Sequence, residues 1–424
     1  MARDSKNPLP MKIFSLVIHL CCGLLCAINL AHAQTNLVCV GFSGDASKHV
    51  NGVAVAGHYL FAANGGDGLR IFDISNPTNL ICVGHTNNSE NAGSAMGIAV
   101  LGDYAYVANS NDGMRIYDVS DPTHPQNVGH APEIAMAASF GIAVSGSIPI
   151  ASPQSLRTKL FGKSKMGARY AFLANYNDGL RIYDVSNPAN PKRLAHVNDG
   201  GTALDATVSG NYVYLANDYD GLRIYDFSDP ANPICVGRAN DMGYPWGVVV
   251  IGNNAYVADN FHGFSIFDVS NPTNPVILGN INNNPPRENF QDHISGKNKG
   301  KVFVTGSAYG VAVAGHHAYI ANFGDGVWAY DISCPTNPVA LAHTVTNFGG
   351  YSKRLTVSRG FAYVADQDDG IRVYKVWDDN PRPQKSPMPK ILIVVLCAFL
   401  IVSAAMTIWR FKFAKSRTST APQK

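Results

Sequence analysis

The chain has 424 residues, 46% of them hydrophobic and only 15% charged, with a formal net charge of +3. Residues 1–33 hold three basic side chains and one acid, and residues 389–424 hold six basic side chains and no acid, so the stretch between them is acidic by about five charges. An acidic middle argues against nucleic acid as a partner, because meeting phosphates needs a positive surface.

The first element in chain order reads as a secretory signal over residues 1–33. Lys12 supplies positive charge, residues 13–30 are largely apolar, and Ala31-His32-Ala33 forms an A-x-A cleavage site before Gln34. Without cleavage the same run would be a first transmembrane helix. From residue 34 to 376 one run recurs: GLRIFDISNPTNL from Gly68, GMRIYDVSDPTHP from Gly113, GLRIYDVSNPANP from Gly179 and GLRIYDFSDPANP from Gly221. GFSIFDVSNPTNP from Gly263, GVWAYDISCPTNP from Gly326 and GIRVYKVWDDNP from Gly370 diverge progressively. The leading glycines are 45, 66, 42, 42, 63 and 44 residues apart, and the two long gaps hold insertions at 148–167 and 283–306. Both insertions are basic in part, through Arg157, Lys159, Lys163 and Lys165 in the first and Lys297, Lys299 and Lys301 in the second. They are expected on opposite faces of the fold.

Each copy contains four short apolar runs divided by Gly, Asn and Pro turns, a strand pattern with no room for a helix. Runs such as Tyr104-Ala-Tyr-Val-Ala108 alternate large and small residues, which suits sheets packed between two neighbouring sheets. Four strands per repeat, arranged radially, predict an all-β, seven-bladed propeller of four-stranded blades. Closure is readable as well. The seventh copy ends at Val376-Trp377 without an outer strand, and an orphan, Asn36-Leu-Val-Cys-Val-Gly41, precedes the first copy and matches Asn79-Leu-Ile-Cys-Val-Gly84. Pairing the two completes the ring and removes its free edges.

The run GLRIYDVSNPANP, preceded by a YVAN-type strand and an Asp-Gly turn, resembles the LVIVD repeat of bacterial surface-associated propellers. The resemblance covers nearly all of residues 36–376. It implies this fold and an extracytoplasmic location more than any activity. Ser265, Ala329, Lys375 and the two insertions depart from the pattern.

After a linker at 377–390, residues 391–409 are apolar and long enough to cross about 30 Å of hydrocarbon. Trp409 marks the edge, and Arg410, Lys412, Lys415 and Arg417 open a basic tail over 410–424. Positive charge stays on the cytoplasmic side, so one C-terminal transmembrane helix is expected, with the propeller outside in the periplasm or at the cell surface. A sorting signal cleaved during anchoring is the other reading.

The N-x-x-D-G turns and the acidic loop at 366–369 invite a calcium reading, but each turn offers few oxygens and Gly with Asn or Asp already suits a tight hairpin. Asp73, Asp118, Asp184, Asp226, Asp268 and Asp331 end the third run of six copies and are expected to accept turn N–H groups. Arg70, Arg115, Arg181, Arg223 and Arg372 are expected to pair with acids of neighbouring blades. His85, His130, His196 and His343 share one position after the outer run. Cys39, Cys82 and Cys235 also share a position, so they cannot pair, and with Cys334 they are expected to be small buried hydrophobes. No cofactor or metal is expected.

What differs between copies is where a repeat scaffold stores specificity. The blade-to-blade links carry Met96, Phe140, Tyr244, Trp246, Tyr309 and Tyr351, arriving beside Asn64, Asn109, Asn175, Asn217, Asp259, Asn322 and Asp366 at the end of each second run. Tyr244 and Trp246 with that ring of amides and carboxylates form the candidate rim for a protein or glycan ligand. The expected function is non-catalytic binding or scaffolding from a membrane anchor. The alternative is a hydrolase or lyase acting on an extracellular polymer, for which Glu90, Glu133 and Glu288 are the non-repeated acids to try.

Overall fold

Each repeat lays down four antiparallel strands from the axis outward. In blade 1 these are Gly52–Ala56, Tyr59–Ala63, Leu69–Asp73 and Ile81–Thr86. The computed structural model describes residues 37–43, 49–86, 93–132, 138–145, 169–198, 200–239, 243–282, 306–344, 351–367 and 369–377. Over these residues it forms seven such sheets, all within the first of two compact units, Met1–Asp379; the second, Asn380–Lys424, lies outside the described residues.

Two-sided burial explains the alternation of large and small residues. In blade 1, Leu60, Ala62 and Phe72 pack towards blade 7, while Phe61, Ala63, Leu69 and Ile71 pack towards blade 2. The pattern repeats as seven apolar clusters, each shared by two adjacent blades. Burying a Val, Leu, Ile or Phe side chain stabilises by roughly 1.5–3 kcal/mol, so each seam is a core in its own right.

The ring closes as the orphan strand suggests. Val38–Ser43 is the outer strand of blade 7, antiparallel to Ile371–Lys375, with Val38 opposite Lys375 and Ser43 opposite Ile371. Tyr363, Ala365, Ile371 and Val373 of that blade then share a cluster with Val53, Val55 and Leu60 of blade 1. Every third-to-outer strand pair also carries a register shift, as between Ile71 and Phe72. In five blades the shift brings an outer-strand glycine (Gly41, Gly84, Gly129, Gly237 or Gly279) against the Pro turn of the next blade. A Cβ on Gly84 would sit 1.9 Å from the Pro122 carbonyl, and one on Gly41 would sit 2.2 Å from the Pro77 carbonyl. The second of these contacts spans the closing seam.

Strand direction gives the ring two unlike rims. The turn rim holds the hairpins between first and second strands and the Pro turns between third and outer strands. The link rim holds the N-x-x-D-G turns and the blade-to-blade links. Both Leu37 and Trp377, the first and last described residues, belong to the turn rim, since Val38 pairs with Lys375 there. The insertion at 148–167 lies outside the described residues, between Gly141–Val144 and Tyr170–Ala174 on the turn rim. Nearly all of 283–306 is likewise undescribed, between Val276–Ile281 and Gly310–Ala314 on the link rim. Their attachment points are thus on opposite rims. No helix among the described residues is long and apolar enough to cross a membrane, and 1–33 and 391–409 fall outside them.

Candidate functional site

The link rim is built on one polar network repeated from blade to blade. In blade 2, Asn109 donates a backbone bond to the Gly113 carbonyl at 2.7 Å and its side-chain amide donates to Asp112 Oδ2 at 2.9 Å. Arg115 donates to the same oxygen at 2.6 Å, and His130 Nε2 lies 3.3 Å from Asp112 Oδ1. Blades 1 and 3 repeat this with Asn64, Asp67, Arg70 and His85, and with Asn175, Asp178, Arg181 and His196. Blade 4 puts Arg238 in the His position, blade 6 puts Trp328 in the Arg position, and blade 7 pairs Arg372 with both Asp366 and Asp369 at 2.5 Å. In blade 5, Asp259 accepts from Ser265 Oγ at 3.2 Å, and Asn280 donates to that Oγ at 2.9 Å. Burial alone would raise the Asp67 and Asp112 carboxyls, but hydrogen bonds from Arg70 and Arg115, with the Asn amides, hold both below the usual carboxylate range.

The residue after each of these Asn or Asp side chains (Asp259 in blade 5, Asp366 in blade 7) is left-handed: Gly65, then Ser110, Tyr176, Asp218, Asn260, Phe323 and Gln367, with φ between 33° and 51°. Such a backbone costs a bulky residue on the order of 1–3 kcal/mol. It persists because it stitches the blades. Tyr176 exchanges backbone bonds with Ala203 of the next link at 3.0 and 2.9 Å, and Gln367 accepts from Val50 N across the closing seam at 3.1 Å.

The links carry the aromatics over this network. Trp246 and Tyr309 have ring centroids 4.1 Å apart, Tyr309 and Phe323 4.9 Å, and Phe323 and Tyr351 4.3 Å. A second group joins Tyr219 to Tyr244 at 4.9 Å and Tyr244 to His262 at 5.9 Å. Tyr219 is 71% exposed and Tyr351 38%. At the channel mouth, the residue before each inner strand faces a small recess of about 60 Å³ that is open to solvent. It is lined by Asn51, Met96, Phe140, Leu204, Trp246, Tyr309 and Lys353, one from each blade, with Arg354. Lys353 Nζ donates to Asn51 Oδ1 at 3.1 Å. Burial pushes the Asp218 carboxyl up.

One step down the channel, five blades have glycine at the start of the inner strand: Gly52, Gly97, Gly141, Gly247 and Gly310. There is little room for more, since a Cβ on Gly97 would lie 2.4 Å from the Phe140 carbonyl. Blades 4 and 7 instead have Asp205 and Arg354, which meet across the channel at 2.6 Å. Arg354 also donates to the Leu204 carbonyl at 3.1 Å, and Val248 N donates to Asp205 Oδ2 at 3.3 Å. This pair floors the recess.

The LVIVD repeat matches residues 47–88, 92–131, 168–199, 200–241, 242–283, 305–346 and 349–373. The chain belongs to the LVIVD-repeat family. No curated protein matches it. Among solved structures, the computationally designed Ika8 protein is similar over 80% of this chain and 99% of its own, at 7% identity and a TM-score of 0.49.

Across the LVIVD repeats the expected site residues separate into two levels. Asn64, Asn109, Asn175, Asn217, Asp259, Asn322 and Asp366 are at most 4% exposed and engaged within the turns and links, so they lie beneath the rim. Ser139 Oγ covers Asn175 at 2.9 Å and Ser352 Oγ covers Asp366 at 3.0 Å. Tyr244 and Trp246 stand half-buried above them. The repeated arginines pair with the turn acid of their own blade, because a residue three positions after Asp folds back over the turn. The histidines lie within the outer strands, which run longer than their apolar segments suggest. Among the described residues no disulfide joins the cysteines; Cys39 and Cys235 are exposed and Cys82 half-buried, since the outer strand turns their shared position to solvent, and Cys334 is exposed in its turn. The six strand-end aspartates accept the Ser N–H two residues on, at 2.8–2.9 Å, as expected. Glu90, Glu133 and Glu288 fall outside the described residues. Asp205 and Arg354 went unnoticed in the sequence, although each breaks a glycine position kept by the other five copies.

Proposed function

We propose that the chain is a non-catalytic binding or scaffold propeller, exported and held at a membrane by residues 391–409, with the link rim as its binding face for a protein or glycan. One observation carries this reading. The acids and bases repeated around the link rim are spent on turn geometry, whereas the residues that differ between blades gather there as aromatic rings around a recess. Aromatic surface with a few polar groups is the usual chemistry of a recognition site. The A-x-A end of residues 1–33 and the basic flank after Trp409 support export and anchoring. Leu37 and Trp377 both lie on the turn rim, the opposite rim from the recess.

A screen of glycans and peptides against the full chain tests the binding role. A ligand found in this way should lose at least about tenfold in affinity with Tyr219→Ala or Tyr351→Ala, the loss of one good stacking contact. Ligands insensitive to both changes would remove the link rim from consideration.

A further inference from the structure

We propose that the link rim between blades 4 and 5 binds an organic cation, an ammonium group carried on an apolar stem. The inference rests on the binding role above and names the chemistry of the ligand. The site is built around Asp218, the one acid among the seven left-handed residues of the link rim. In the other six blades that residue is bridged to a residue of the next link. In blade 4 its partner is Pro245, which has no N–H to give, and a single bond remains, from Asp218 N to the Pro245 carbonyl at 3.3 Å.

That bond sets Asp218 against the segment Tyr244-Pro245-Trp246, and Tyr219 follows it in the chain. Tyr219 and Tyr244 have ring centroids 4.9 Å apart and planes at 87°, two walls of a corner. Trp246 neighbours the Asp218 carboxyl, and Tyr309 stands 4.1 Å from Trp246 at 55°. Rings set at steep angles can surround a tetrahedral ammonium, which a flat stack would meet on one side only, and aromatic faces attract cations through their quadrupole. Charge points the same way. Among the described residues no basic side chain pairs with Asp218, and burial pushes its carboxyl up. Arg223 and Arg238 of the same blade both bond to Asp220 instead. A half-buried carboxylate is costly without a counter-charge, and a cationic ligand supplies one. The acidic stretch between the two basic ends of the chain draws in a ligand of that sign as well. A free quaternary ammonium and the lysine side chain of a peptide both have this chemistry.

The test uses the full chain in nanodiscs and calorimetric titration with two pairs of probes. One pair is choline and its uncharged isostere, in which tert-butyl replaces trimethylammonium; the other is acetyl-Gly-Lys-Gly amide and the same peptide with norleucine for lysine. At least one cation should bind about tenfold or more tightly than its neutral counterpart, the worth of a cation–π contact in a partly desolvated site joined to an ion pair. Asp218→Asn should remove most of that preference without moving the melting temperature, because Asn also tolerates a left-handed backbone. Tyr219→Ala, at a side chain 71% exposed, should weaken cation binding without unfolding the chain. Binding of choline alone identifies a quaternary ammonium as the source, and binding of the lysine peptide shows that a protein side chain suffices. Equal affinity within both pairs, an undiminished preference in Asp218→Asn, or no binding of either cation at millimolar concentration overturns the proposal. If cations and isosteres bind alike and Tyr219→Ala weakens both, the link rim stands as a binding face and only its preference for charge is lost.

Discussion

Aspartate serves this propeller in two opposite ways, and pH separates them. Asp67 and Asp112 are held low against their burial by Arg70 and Arg115, and Asp73, Asp118, Asp184 and Asp226 are held low by the hydroxyl and N–H of the following Ser. Burial instead pushes Asp366 up, with Arg372 opposing it. A depressed carboxyl contributes stability above its unfolded pKa of about 3.9 and loses it as pH falls through the folded value. A raised one contributes below the unfolded value and loses its share as pH rises through the folded value. The depressed group is larger, so thermal stability should drop steeply below about pH 4. Melting curves between pH 3 and 7 check this; a maximum on the acid side would contradict it. Within a single blade, Asp112→Asn should cost on the order of 1–3 kcal/mol, because it leaves the Arg115 guanidinium partly buried beside a neutral amide. Adding Arg115→Met should recover part of that loss in denaturant titrations.

At the scale of one element, the outer strand is the joint between blades. In five blades its register shift lets a Pro turn of the next blade rest on a glycine, and on the closing seam that glycine is Gly41 against Pro77. Gly41→Val drives a side chain into a backbone carbonyl 2.2 Å from the Cβ position, where nothing flexible gives way. Overpacking of this kind costs about 1–3 kcal/mol, and here it should also promote aggregation by loosening the only strand that completes blade 7. Gly66→Ala, with nothing within 4 Å of the added carbon, is the control and should leave melting within about half a kcal/mol of the parent. Equal melting of the two variants would show that the N-terminal strand is dispensable to closure.

Across the whole molecule, Asp205 and Arg354 join blades on opposite sides of the channel, 149 residues apart in sequence. Replacing either by the glycine of the other blades should cost more than half of what replacing both costs, because one change strands a charge in a narrow channel and two remove the requirement. A double-mutant cycle should therefore give a coupling of about 1–3 kcal/mol, and strict additivity would mean that the pair does not hold the ring. Protease added outside intact cells or spheroplasts should remove the propeller and spare a tag after Lys424, as expected for an anchor with its basic flank inside. Loss of the tag together with the propeller would reverse that topology.

The repeat, the four strands per copy and the completion of blade 7 by an N-terminal strand, expected over 36–41 and formed by Val38–Ser43, were all legible in the sequence. They depend on local periodicity, and on one segment that matches a missing one. The turn chemistry of Asp73 and its five equivalents was legible for the same reason, since donor and acceptor are two residues apart. Partnership at a distance was decided only by the tertiary structure. That Asn64 and its equivalents lie beneath the rim depends on links arriving from the next blade, and the stacking of Trp246 on Tyr309 depends on which two links become neighbours in the ring. The meeting of Asp205 with Arg354 needs all seven seams to close, because only a complete ring brings the fourth and seventh inner strands face to face.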